Sequence, residues 1–235
     1  MSTFWQRYKR NRSAVFGLIV IVLVILMAAT ADLLYAFDPF RLAGKPLSGP
    51  GLNGFLLGSD SLGRDVAAGI VHGAKTSLLI GLIATLVAVF IGIVFGAFSG
   101  YYGGRLDDIL MRITEIFQTI PSFIFAILLV AIMKPSIVSI VIAIAVVSWP
   151  GVARLVRGEF LALKNREFVQ ACHTLGMNDL RIMLREILPN CMSPIIVIGS
   201  LMVATAILIE SGLAFLGLGD PNIMSWGFQI GAGRT

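Results

Sequence analysis

Five long stretches without a single charged residue limit what this chain can fold into. They cover residues 14–31, 76–102, 116–133, 136–153 and 191–209. A helix needs about 20 apolar residues to cross about 30 Å of hydrocarbon, and each stretch approaches or exceeds that length. In lipid, every backbone amide must find its partner within its own segment, so helices are the expected form. Composition closes the soluble alternative. Charged residues make up 13% and hydrophobic ones 57% of the 235 residues, with a mean hydropathy of +0.91. A soluble domain carries about 25% charge, and a core of this size could not hide so much apolar surface. The expected fold class is an all-α integral membrane protein, a polytopic helical bundle with five spans.

The formal charge of +5 does not point to nucleic acid, because the basic residues fall in short runs between apolar stretches, the pattern of the positive-inside rule. With the amino terminus inside, 12 of the 18 Lys and Arg lie on inner segments, from Arg7, Lys9, Arg10 and Arg12 through to Arg185. The other six, Arg41, Lys45, Arg64, Lys75, Lys134 and Arg234, lie outside. This predicts a cytoplasmic segment over 1–13, a first transmembrane helix over 14–36 and an external loop over 37–75. The core over 76–235 contains a cytoplasmic loop at 155–190 and an external segment at 210–235. The first stretch also resembles a signal peptide, with Ala29-Thr30-Ala31 as a cleavage-like site. Its apolar run is longer than the usual h-region of roughly 7–15 residues, so a retained anchor is expected.

Catalytic and metal chemistry find little support. Cys172 and Cys191 show no CxxC spacing, and His72 and His173 lack nearby co-ligands. No nucleophile–base pair or paired carboxylates stand in a plausible pocket. Gly73-Ala74-Lys75-Thr76 lacks the glycine spacing of a phosphate-binding loop. The chain is expected to bind no cofactor and to be no enzyme.

The most charged part, 155–190, reads as two short helices around a turn. Gly176 occupies the C′ position of the first, Asn178 or Asp179 caps the second, and Leu180, Met183, Leu184, Ile187 and Leu188 form an apolar stripe before Pro189. Such a hairpin can lie on a membrane surface or grip a partner. Gly92, Gly96 and Gly100 form a small-residue face suited to close helix packing. Pro121, Pro150 and Pro194 interrupt spans, and Trp149-Pro150-Gly151 is a candidate hinge or a static kink. Arg64 beside Asp65 is expected to pair locally if at all. Glu210, at the outer end of the last stretch, is a candidate contact for a substrate ammonium, or a cap at the interface.

Gln170-Ala171-Cys172-x3-Gly176, followed by Leu188-Pro189, resembles the coupling loop of ABC importer permeases. The family pattern is Glu-Ala-Ala, three residues, Gly, then Ile-x-Leu-Pro; this chain departs from it at Gln170, Cys172 and Glu186. Leu57-Gly58-Ser59-Asp60-Ser61-Leu62-Gly63-Arg64-Asp65 with Gly73-x-Lys75-x-Ser77-Leu78 resembles the dipeptide, oligopeptide and nickel permease group. So does Glu210-Ser211-Gly212-Leu213-Ala214-Phe215-Leu216-Gly217-Leu218-Gly219 with Pro221 and Ser225-Trp226-Gly227. The order suggests the second of two paired permeases. The resemblance implies a type I importer permease fold, a peptide cargo with nickel or metal chelates as the alternative, and ATPase coupling through Gln170, Ala171, Cys172, Thr174, Leu175, Gly176, Leu188 and Pro189. It implies as partners a homologous second permease, two ATP-binding subunits that hold ATP and magnesium, and an external substrate-binding protein, all at a bacterial inner membrane. Trp149, Pro150 and Glu210 are the candidate gate or substrate-path residues. An ion-driven secondary transporter is the runner-up from another class, weakened because four span cores lack charge and the third carries it only near one end, on a starting extension with Asp108, Arg112 and Glu115. The family usually carries a sixth span, which is expected on a longer native product.

Overall fold

The computed structural model describes residues 6, 8–52 and 54–233. Arg7 and Arg234 of the charge count, and residues 1–5 of the amino-terminal segment, lie outside the described residues. The helices are α1 (Arg12–Ala29), α2 (Ala31–Leu34), α3 (Val66–Tyr102), α4 (Gly104–Gln118), α5 (Ser122–Met133), α6 (Ile137–Leu163), α7 (Glu167–Thr174), α8 (Asp179–Ile182), α9 (Leu188–Asn190), α10 (Met192–Phe215) and α11 (Trp226–Ala232), with a π-helical turn at Met183–Ile187. Among the described residues the only β pairing is an isolated bridge between Ser59 and Asp65. Four helices, α1, α3, α6 and α10, are long and apolar enough to cross a membrane, and α4 with α5 makes a fifth only if the bent pair counts as one span. The chain is a helical polytopic membrane protein.

Contacts divide it into two units, Met1–Leu78 with Pro221–Thr235, and Leu79–Asp220. In the first unit, α1 starts where the Asn11 side chain accepts the Ala14 N–H at 3.2 Å, and α1 buries no residue. Lys75 Nζ reaches Asp32 at 2.8 Å. The second span starts ten residues earlier than its uncharged stretch suggests. Asp65 Oδ1 accepts the N–H groups of Ala67 at 2.8 Å and Ala68 at 3.3 Å, so a carboxylate satisfies the open amides of the α3 N-terminus.

In the second unit, the glycine face of α3 lies against α6. A Cβ on Gly92 would stand 2.5 Å from Val152 Cβ, on Gly96 2.4 Å from the Ala153 carbonyl oxygen, and on Gly100 2.7 Å from the Arg157 carbonyl oxygen. Only hydrogen side chains let these backbones approach so closely. Behind that contact Val152, Ala153, Val156 and Phe160 are fully buried, continuous with Val169, Ile182, Met183 and Ile187 of the hairpin. α6 runs ten residues past the expected end of its span, because Arg154 and Arg157 leave its helical geometry intact and its buried side continues to Phe160.

The third span requires correction. Residues 116–133 do not form one helix. α4 ends at Gln118, α5 starts at Ser122, and the two meet at 81°. Pro121 cannot continue the hydrogen-bond ladder, and Thr119 Oγ1 caps the loose end by donating to the Ile116 carbonyl at 2.6 Å. At 12 residues, α5 is roughly 18 Å long at about 1.5 Å per residue, too short to cross the hydrocarbon alone.

Candidate functional site

Three cavities of the second unit share walls and form one groove along α6. The first, 340 Å³, is lined by Ser122, Val147, Ser148, Gly151, Val152, Ile198, Leu201, Met202, Thr205 and Ile209. The second, 490 Å³, keeps Ser122, Val147, Ser148 and Gly151 and adds Phe117, Gln118, Ile120, Pro121 and Arg154. The third, 630 Å³, keeps Arg154 and adds Asp108, Met111, Arg112, Thr114, Glu115 and Arg157. Val147, Ser148, Gly151 and Arg154 follow each other at spacings that put them on one helical face. The lining changes from aliphatic with hydroxyls at one end to charged groups of both signs at the other. The broken backbone at 119–121 contributes directly, since Ile120, Pro121 and Ser122 are wall residues. Non-helical backbone at membrane depth is tolerated where it is buried in protein or lines a wet cavity.

The candidate path residues sit elsewhere. Trp149 is 4% exposed and packs against Phe95 at 4.7 Å and edge-on against Phe117 at 5.4 Å between ring centroids. It stands one layer behind the groove, whose wall includes Phe117. Pro150 is buried inside a helix that continues through it. Glu210 is 1% exposed, and the Ser211 hydroxyl lies 3.5 Å from its Oε2. None of the three lines the groove. The wall residues Ser148, Gly151 and Arg154 escaped sequence reading because only the position of the α3 glycine face shows which side of α6 stays open.

The charged end of the groove is braced. Arg157 donates twice to Asp107, Nε to Oδ1 at 2.6 Å and Nη2 to Oδ2 at 2.7 Å, and the Ser99 hydroxyl donates to the same carboxylate. A bidentate fork of this kind fixes orientation as well as charge. It joins α4 to α6.

The hairpin begins where α6 ends. α7 closes with Gly176 at φ +73°; the Gly176 N–H donates to the His173 carbonyl at 3.0 Å and the Met177 N–H to the Cys172 carbonyl at 3.1 Å, the paired bonds of a Schellman cap. Asn178 caps α8 by accepting the Arg181 N–H at 2.9 Å. Gln170, Ala171, Thr174, Leu175, Gly176 and Pro189 are exposed, while Cys172 and Leu188 are half-buried. Leu175, at the tip, is 80% exposed. The apolar stripe splits: Met183 and Ile187 are buried, Leu180 and Leu184 are each 52% exposed. Its helix is not uniformly α. At Met183–Ile187 it widens to a π turn, with the Leu188 N–H donating to the Met183 carbonyl. Pro189 follows at once, and a wide turn relieves the clash of its ring with an earlier carbonyl.

In the first unit, two stretches far apart in sequence meet. Trp226 donates its backbone N–H to Ser77 Oγ at 3.1 Å and its indole N–H to the Ile70 carbonyl at 3.0 Å. Gly73 abuts Ser225 and Trp226, and the Ser61 hydroxyl donates to the Ala232 carbonyl at 3.1 Å. Arg64 does not pair with Asp65. Its guanidinium lies over the rings of Phe40 and Phe228, at 5.2 and 5.5 Å, because the Asp65 carboxylate is committed to capping α3.

Two family profiles match the chain. One, described as a binding-protein-dependent transport system inner membrane component, covers residues 92–232. The other, the N-terminal TM domain of oligopeptide transport permease C, covers residues 1–48. The chain is similar to the oligopeptide transport system permease protein OppC of Bacillus subtilis, 39% identical over 97% of this chain and 75% of the relative. It is also similar to the dipeptide transport system permease protein DppC of the same species, 39% identical over 97% of this chain and 72% of the relative. To the oligopeptide transport system permease protein OppC of Escherichia coli K12 it is 40% identical, over 99% of this chain and 80% of the relative.

Proposed function

The chain belongs to the family of inner membrane components of binding-protein-dependent transport systems, and from that membership we propose that it forms part of a path for peptides driven by ATP hydrolysis on partner subunits. The groove along α6 is the wall of that path, completed by a homologous second permease. Its hydroxyls at Ser122, Ser148 and Thr205 give a peptide backbone hydrogen-bond partners in passing, and Arg112, Arg154, Asp108 and Glu115 suit termini of either charge. Peptide is favoured over metal chelates because the similar permeases are those of oligopeptide and dipeptide systems. ATP and magnesium belong to two ATP-binding subunits, and an external binding protein delivers cargo. The chain itself performs no chemistry. The amino terminus and the hairpin face the cytoplasm, a reading supported by the excess of Lys and Arg on those segments.

The observation that carries the ATP-driven reading is the hairpin: a short, capped pair of helices, rooted in the core by Val169, Ile182 and Ile187, that presents Leu175 almost fully to its surroundings. A rigid projection with a greasy tip transmits a push where a loose loop would absorb it. Leu175→Glu tests this in the full complex. Burying a charge in the docking groove is expected to lower recovery of the ATP-binding subunits on purification by at least about tenfold, a cost of about 1.4 kcal/mol, with the second permease still bound. Full recovery of those subunits with Leu175→Glu would overturn the reading.

A further inference from the structure

We infer that Tyr101 is the positioning residue through which movement of the hairpin reaches the packed pair α3–α6, an inference that rests on the hairpin being the docking element proposed above. Tyr101 is the penultimate residue of α3, and its phenol touches both legs of the hairpin. Its hydroxyl donates to Asp179 Oδ1 at 2.8 Å and lies 3.4 Å from His173 Nε2, while its ring stacks near the His173 ring at 6.4 Å between centroids and 26° between planes. Asp179 is the first residue of α8 and His173 lies in the last turn of α7, so the contact brackets the turn at Gly176.

The other side of Tyr101 is anchored. Its carbonyl accepts from Lys164 Nζ at 3.3 Å, at the end of α6. The preceding Gly100 presses on the Arg157 backbone, and Arg157 holds Asp107 of α4. α3 and the hairpin also share an apolar cluster that holds Ala97, Val169, Ile182 and Met183, and such packing is non-directional and permits one element to slide past another. A hydrogen bond to a carboxylate has a fixed direction and is about twice as strong as one between neutral groups. Tyr101 therefore sets the register in which a push on α8 becomes a shift of α3 and, through the glycine face, of the groove wall on α6.

The test uses the full complex in proteoliposomes, with the external receptor and a labelled peptide, and counts peptides imported per ATP hydrolysed. Tyr101→Phe keeps the ring and removes the hydroxyl. It is expected to lower that ratio about tenfold, the scale of one hydrogen bond to a charged group, with all subunits still assembled. Asp179→Asn retains an acceptor oxygen and is expected to keep the ratio within about twofold of the wild type, whereas Asp179→Ala repeats the Tyr101→Phe loss. The double variant Tyr101→Phe/Asp179→Ala is expected to be no worse than either single one, as for two partners of one contact. A wild-type ratio for Tyr101→Phe, or losses that add in the double variant, would overturn the inference. If Leu175→Glu releases the ATP-binding subunits while Tyr101→Phe imports normally, only the role of Tyr101 fails; if Leu175→Glu retains them, the docking reading fails first.

Discussion

α1 and α6 are both apolar enough to span a membrane, yet they behave in opposite ways. α1 buries no residue; α6 buries residues along its length from Ser139 to Phe160. The difference lies in where small residues stand. The middle of α1, residues 18–26, is Leu, Ile and Val alone, and its Gly17 has nothing within 4 Å of where a Cβ would be. α6 carries the buried Ala143, Ala145 and Ala153, and α3 brings Gly92, Gly96 and Gly100 against it. Between helices in lipid there is no hydrophobic drive to associate, so close approach of backbones and polar links supplies the attraction. Apolarity decides that a segment enters the membrane; the spacing of small residues decides what it touches there.

The comparison breaks most visibly at Gly96. Gly96→Leu puts carbon where the Ala153 carbonyl stands, and the expected overpacking cost is about 3 kcal/mol, read as loss of the monodisperse peak on size exclusion after mild heating; a wild-type profile would contradict the packing described here. Asp107→Ala takes both hydrogen bonds from the Arg157 fork, with an expected cost of about 2 kcal/mol, measured by the same assay and partly restored by Asp107→Asn, which keeps one acceptor. Gly17→Leu on α1 is expected to change stability by less than about 0.5 kcal/mol. If Gly17→Leu matched Gly96→Leu, α1 would have a packed face after all and the contrast would vanish.

Much of the hairpin was legible. Gly176 followed by Asn178 spelled a helix end and a helix start, and both caps form with the bonds those residues make elsewhere. The glycine face of α3 was legible as a packing surface, though not its partner. The ends of α3 and α6 lie beyond their uncharged stretches: Asp65, in a polar stretch rich in glycine, caps the start of α3, and α6 runs on through Arg154 and Arg157 because charge does not stop a helix. The groove was the least legible part. Pro121 announces a break, but the 81° between α4 and α5, and the choice of Ser148 and Gly151 over Trp149 for the wall, follow from contacts between segments that no local pattern encodes.

The bare flanks of α1 leave a whole helix surface of this chain to be covered from outside it. Whatever covers it, lipid tails or a partner subunit, meets Leu, Ile and Val side chains along residues 18–26, most of them exposed on this chain, so α1 brings side-chain area rather than close backbone contact to that boundary.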